Sequence, residues 1–104
     1  MSAIVLTEVT KLMPKVGRSV VVNGQKIAVF QMSNGEIAAL EDYCPLTNGP
    51  ILEGTVSGHY VYEPMRDYKI SLLDGQIQEP DEGQVKVYPV SIQDGVVIIE
   101  GIDL

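Results

Sequence analysis

An all-β domain built from antiparallel strands is the fold class this sequence predicts. Three observations lead there. Asn-Gly or Asp-Gly pairs stand between apolar segments at Asn23-Gly24, Asn34-Gly35, Asp74-Gly75 and Asp94-Gly95. Such pairs adopt, at least cost, the positive φ that both central residues of a type I′ hairpin turn require. The flanking segments are rich in β-branched residues, which suit a pleated, half-buried surface. No segment holds the 3.6-residue apolar period of an amphipathic helix for long.

Along the chain, residues 7–13 have room for one turn of helix, which Pro14 and Gly17 close. Ser19-Val20-Val21-Val22 and Lys26-Ile27-Ala28-Val29-Phe30 read as strands on either side of the first turn, and Glu36-Ile37-Ala38-Ala39-Leu40 follows the second. Residues 43–68 contain three prolines and three glycines, so they read as long loops interrupted by one short strand or hairpin near residues 56–62. Loops of that length inside a compact domain are usually functional. Val85-Lys86-Val87-Tyr88-Pro89-Val90 and Val96-Val97-Ile98-Ile99 bracket the last turn, with Pro89 marking an edge position or a bulge. The expected architecture is a meander or sandwich in a single domain, residues 1–104, with a loop-built excursion over roughly residues 41–72.

Composition narrows the function. The 104 residues are 45% hydrophobic, enough for one small core. A net charge of -7 repels phosphate backbones and anionic lipid, so neither nucleic acid nor a membrane surface is an expected partner. No apolar run approaches the ~18 residues of a membrane-spanning helix. The first eight residues, Met1-Ser2-Ala3-Ile4-Val5-Leu6-Thr7-Glu8, lack a basic segment and a signal-length apolar stretch. The one cysteine, Cys44, forms no internal disulfide, in keeping with a reducing compartment. A cytoplasmic location is the resulting expectation.

The most informative segments are Glu41-Asp42-Tyr43-Cys44-Pro45-Leu46-Thr47-Asn48-Gly49-Pro50-Ile51-Leu52-Glu53-Gly54 and Glu63-Pro64-Met65-Arg66-Asp67-Tyr68-Lys69-Ile70. Together they resemble the two ligand loops of a Rieske iron–sulfur domain, which read Cys-x-His and, after a similar gap, Cys-x-x-His. The closer likeness is to the small subunit of assimilatory NAD(P)H-dependent nitrite reductase. Cys44, Pro45, Gly49, Pro50, Glu53 and Gly54 match its first loop, with Ile51 in place of leucine. Pro64, Lys69, Ile70, Leu72 and Gly75 match its second, with Tyr68 in place of tryptophan.

The resemblance covers nearly the whole chain but not the ligands. Cys44 occupies the first cysteine position, while Leu46 replaces the first histidine, Glu63 the second cysteine and Arg66 the second histidine. A Rieske centre needs two thiolates on one iron and two imidazoles on the other. The resemblance therefore implies a Rieske-like β fold whose residues 41–72 form a vestigial cluster-binding subdomain. No cofactor is expected on this chain, no catalysis by it alone, and no electron transfer through it. It implies a partner, the large nitrite reductase subunit, carrying FAD, sirohaem and an iron–sulfur cluster and reducing nitrite to ammonium. A second reading is a degenerate Rieske-type ferredoxin serving another oxidoreductase as a structural or regulatory module.

Other candidate groups carry less. Cys44, His59 and Glu63 are zinc ligands by type but lack ligand spacing, and His59 lies in a turn expected to face water. No base is apparent beside Cys44 to activate it, and a small buried hydrophobe is the simpler role. The acidic run Glu79-Pro80-Asp81-Glu82-Gly83 is a solvated loop or a docking element. Thr47, Asn48, Tyr60 and Tyr62 are the candidate partner surface. Tyr60 and Tyr62 share one face of an extended segment and serve packing or a partner equally well. At the vacated site, Leu46 is expected to fill volume, and Glu63 and Arg66 to pair, to take main-chain partners, or to face water.

Overall fold

A computed structural model describes residues 2–102 of the chain. Ten strands run in order: β1 (Ser2–Glu8), β2 (Arg18–Val22), β3 (Gln25–Gln31), β4 (Ile37–Glu41), β5 (Thr55–Ser57), β6 (Tyr60–Tyr62), β7 (Lys69–Ser71), β8 (Val87–Tyr88), β9 (Val90–Gln93) and β10 (Val96–Ile102). They form three sheets, ordered β1-β10-β9, β2-β3-β4-β8 and β5-β6-β7, and every strand pair is antiparallel. The all-β antiparallel expectation holds. The helical turn expected within residues 7–13 is a single 3₁₀ turn, Val9–Lys11.

The middle sheet is buried on both faces, which explains why β3 reads as an unbroken apolar run rather than an alternating one. Ile27 and Val29 face one cluster with Leu6, Val22, Ala39, Tyr88, Val97 and Ile99. Ala28 and Phe30 face the other, with Ala38, Leu40, Val56, Val61 and Ile70. Successive side chains alternate sides, so one strand glues the first sheet to the small third sheet. At β3 all four residues from Ile27 to Phe30 are fully buried. Each large one contributes about 1.5–3 kcal/mol by leaving water.

The turns divide into two kinds. Asn23-Gly24 and Asp94-Gly95 have positive φ at both positions (52° and 78°, 51° and 77°), as a type I′ turn demands. At Asn34-Gly35 and Asp74-Gly75 only the glycine is positive, so the type I′ expectation fails there. The physical reason is side-chain capping. Asn34 Oδ1 accepts the Glu36 N–H at 2.9 Å, and Asp74 Oδ1 accepts the Gln76 N–H at 2.9 Å, which holds a longer loop ending in a left-handed glycine. A further tight turn, Gly58-His59, joins β5 to β6 with positive φ at Gly58 only, as in a type II′ turn.

One expectation about strands needs correction, and one strand was not expected. The run from Val85 to Val90 is not one arm of a hairpin. It is cut at Pro89: β8 pairs with β4 in the middle sheet, and β9 pairs with β10 in the first. Proline has no N–H to give a ladder, so it marks the point where the chain changes sheets. The strand β1, paired along β10, was not anticipated from Ile4-Val5-Leu6 because no turn signal bounds it.

Candidate functional site

Both loops that resemble ligand loops lie at the connections around the small sheet. The first runs between β4 and β5, the second between β6 and β7. Each is shaped by hydrogen bonds to a carboxylate.

In the first loop, Cys44 is fully buried and belongs to the core cluster shared with Val61 and Ile70. Its N–H donates to the Gly49 carbonyl at 2.8 Å, and its own carbonyl accepts the Asn48 N–H at 2.8 Å. Asn48 takes the left-handed conformation that closes this turn, with φ of 57°, and its Oδ1 accepts the Tyr43 hydroxyl. Asp42 completes the frame. Its Oδ1 accepts the N–H groups of Ile51 and Leu52 at 2.8 and 2.9 Å, seating Ile51 in the core.

This self-closed turn puts Leu46 at its apex, 39% exposed. Leu46 therefore does not fill the vacated site. Cys44 and Ile51, both fully buried, pack beneath the loop instead.

The second loop is organised by Glu63, also fully buried. Its Oε2 accepts the Met65 N–H at 3.0 Å, and its Oε1 accepts the Arg66 N–H and, at the longer distance of 3.5 Å, that of Tyr68. Its carbonyl accepts the Asp67 N–H at 3.0 Å, and its N–H donates to the Tyr68 carbonyl at 3.0 Å. A buried charge is tolerable only when its lone pairs are met in this way. Of the outcomes open to Glu63 and Arg66, the carboxylate takes main-chain partners, and the Arg66 side chain is exposed.

The two loops meet where Met65 crosses Gly49. A Cβ at Gly49 would lie 3.1 Å from the Met65 sulfur, so the glycine leaves room for that approach. Around this crossing Tyr43, Leu46 and Met65 are 40%, 39% and 65% exposed, the apolar members of a tip that also exposes Asn48, Arg66 and Asp67. Sequence reasoning named Thr47 and Asn48 in this tip as candidate partner surface but missed the exposure of Leu46 and Met65 beside them and the anchoring role of Asp42. The available signal was an acidic residue just before each Pro/Gly-rich loop.

The remaining candidates sit apart from the tip or within its turn. Thr47 and Asn48 are part of the first turn, and Thr47 Oγ1 accepts the Gly49 N–H at 3.3 Å. Tyr60 and Tyr62 are half-buried on the outward face of β6, opposite buried Val61. The Lys69 ammonium lies 4.2 Å from the Tyr60 ring centre. His59 is exposed, in the expected turn.

The donor set does not fit a [2Fe-2S] centre. Leu46 has no donor atom, Arg66 presents a cation, and the Glu63 oxygens are committed to the loop main chain. Among the described residues, no group of three or more His, Cys, Asp or Glu side chains is placed to hold a metal.

The frame nevertheless has clear relatives. Over 102 residues, covering 92% of this chain and 94% of the relative, the sequence is 24% identical to the nitrite reductase (NADH) small subunit of Salmonella typhimurium. The Escherichia coli (strain K12) small subunit is 22% identical over the same length. Among solved structures, a ferredoxin of Sphingomonas yanoikuyae B1 superposes with a TM-score of 0.86 at 22% identity, covering 97% of this chain and 100% of that one. The Escherichia coli protein NirD superposes with a TM-score of 0.82 at 20% identity, covering 96% and 98%. The family model for the Rieske-like [2Fe-2S] domain matches residues 4–100, nearly the full length over which the sheets and both loops are laid out. The chain belongs to the Rieske-like [2Fe-2S] domain family, with the nitrite reductase small subunits as homologues.

Proposed function

We propose that this chain is the non-catalytic small subunit of an assimilatory NAD(P)H-dependent nitrite reductase, working in the cytoplasm without an iron–sulfur cluster of its own. The observation that carries the reading is the near-full-length relationship to nitrite reductase small subunits, combined with ligand positions held by Leu46, Glu63 and Arg66. On this reading the chain docks on, and stabilises, a large subunit that holds FAD, sirohaem and an iron–sulfur cluster and reduces nitrite to ammonium. The docking surface comprises the loop tips, with Thr47 and Asn48, and the outward face of β6, with Tyr60 and Tyr62. Neither nucleic acid nor membrane takes part.

Two features support a docking role over a chemical one. The tip is apolar and exposed at Tyr43, Leu46 and Met65, and apolar side chains clustered at an exposed tip are candidate anchors for a partner. Both loops are also closed by hydrogen bonds within the chain, at Cys44, Asn48 and Asp42 in the first and at Glu63 in the second.

The test is co-purification of the tagged chain with the large sirohaem-type reductase subunit from the same cell, followed by nitrite-dependent NAD(P)H oxidation. A stoichiometric complex supports the assignment. Recovery instead with a ring-hydroxylating oxygenase would favour the degenerate ferredoxin, a reading that the likeness to a ferredoxin structure keeps in play.

A further inference from the structure

The N–H groups of four successive residues, Met65, Arg66, Asp67 and Tyr68, all end on one residue, Glu63. Three of them reach its carboxylate. Main-chain N–H groups that converge in this way form a concave nest for an anion. Here the anion is a side chain of the loop itself, and it stands at the position that the family resemblance gives to a cluster-ligating cysteine.

Three further observations bear on what the nest does. Glu63 is wholly buried and so touches no partner directly. The residues it holds include Met65, 65% exposed, and Arg66, also exposed. Asp67 takes a left-handed conformation, with φ of 58°, which a loop keeps only when its neighbours are tied down.

We propose that Glu63 is an internal anion that replaces the metal centre as the organiser of the second loop, and so acts as a positioning residue for partner binding. The proposal rests on the docking reading given above. It adds that docking depends on a carboxylate that the partner never meets. Arg66, exposed beside the nest, holds its main-chain N–H against Glu63 and leaves its guanidinium toward solvent. The carboxylate is not spent on that guanidinium.

The test uses the full chain with two substitutions, Glu63→Ala and Glu63→Gln. Amide hydrogen exchange is followed residue by residue, and affinity for the large subunit is measured in parallel. Glu63→Ala should speed exchange at Met65, Arg66 and Tyr68 by about tenfold or more beyond any change at Ile27–Phe30. Binding should weaken by at least about tenfold. Glu63→Gln should be graded, because its carboxamide keeps one oxygen acceptor and turns an NH₂ toward an N–H. The Met65 and Arg66 amides should then respond unequally.

Unchanged exchange at residues 65–68 would overturn the proposal. So would equal loosening of β3, which would make Glu63 a general packing residue, and so would a loosened loop with unchanged affinity. If the unsubstituted chain does not bind the large subunit, the docking reading itself has failed. The exchange data then still show whether Glu63 organises the loop.

Discussion

The Oε2 atom of Glu63 lies 3.0 Å from the main-chain nitrogen of Met65, so a fully buried carboxylate fixes the base of a side chain that is 65% exposed. Asp42 stands in the same relation to the first loop through Ile51 and Leu52. Removing either carboxylate leaves two or three part-buried N–H groups without their acceptor, each costing up to about 1–3 kcal/mol. Glu63→Ala and Asp42→Ala are each expected to lower stability by about 2–4 kcal/mol. Asp42→Asn, which keeps the accepting oxygen, should cost only about 1 kcal/mol. Urea unfolding measures all three, and equal losses for Asp42→Asn and Asp42→Ala would show that the bonds are not what matters.

Two glycines with the same φ of 78° separate backbone strain from crowding. Gly24 has open space around a would-be Cβ, whereas a Cβ at Gly75 would fall 2.0 Å from the Val85 carbonyl oxygen. Gly24→Ala should cost about 1–2 kcal/mol, the price of left-handed backbone alone. Gly75→Ala must also push apart the strand-like pairing of Gly75 with Val85 and should cost more than about 3 kcal/mol. Thermal unfolding of the two variants checks the difference.

Tyr88 is the group whose titration reports the middle sheet. Burial, and then the nearby Glu41 carboxylate, raise its pKa above the ordinary value of about 10. The folded state thus holds this proton more tightly than the unfolded state does. Its stabilising contribution is complete below about pH 10 and is lost as pH rises through the raised value. Tyr88→Phe should flatten the alkaline fall in stability. It should cost about 1 kcal/mol at neutral pH, because the hydroxyl donates to Gln25 Oε1 at 2.8 Å. Unfolding curves at pH ~8 and ~11 decide it: parallel alkaline losses in both proteins would place the titrating group elsewhere.

Legibility in the sequence followed the range of the forces. Turns set by one residue's own backbone preference, such as Asn23-Gly24, were readable. Asn34-Gly35 was not, because the Asn34 side chain captures the Glu36 N–H and changes the turn. The break at Pro89 was visible as a proline, but the choice of sheet on each side depends on distant partners, β4 and β10. At the site, Leu46, Glu63 and Arg66 were plain from the sequence as the residues at positions that the resemblance gives to cluster ligands. Their environments were not: an apolar residue, Leu46, was expected inside and lies outside, and an acidic residue, Glu63, lies at the centre of its loop. Hydropathy alone orders these two residues the wrong way round, because the hydrogen bonds of a closed turn outweigh the burial of one leucine.

Partner binding should reside in the loops and β6. Replacing Tyr60 and Tyr62 together with Ala is expected to weaken association with the large subunit by about 2 kcal/mol or more. The Lys69 contact with the Tyr60 ring, worth about 0.5–1 kcal/mol at an exposed site, is lost from the free and bound chain alike and so lowers stability rather than affinity. Calorimetric titration of the variant against the large subunit reads the change. Unaltered binding, with loss instead on replacing Asp81 and Glu82, would move the interface to the acidic loop.

Iron and acid-labile sulfide, measured on the purified chain after anaerobic reconstitution, test the central claim most directly. With Leu46 and Arg66 offering no donor and the Glu63 oxygens taken by main-chain N–H groups, too few donors remain for a cluster, so the chain should remain colourless with iron at background. About two irons per chain, with thiolate-to-iron charge-transfer bands in the visible spectrum, would contradict the account.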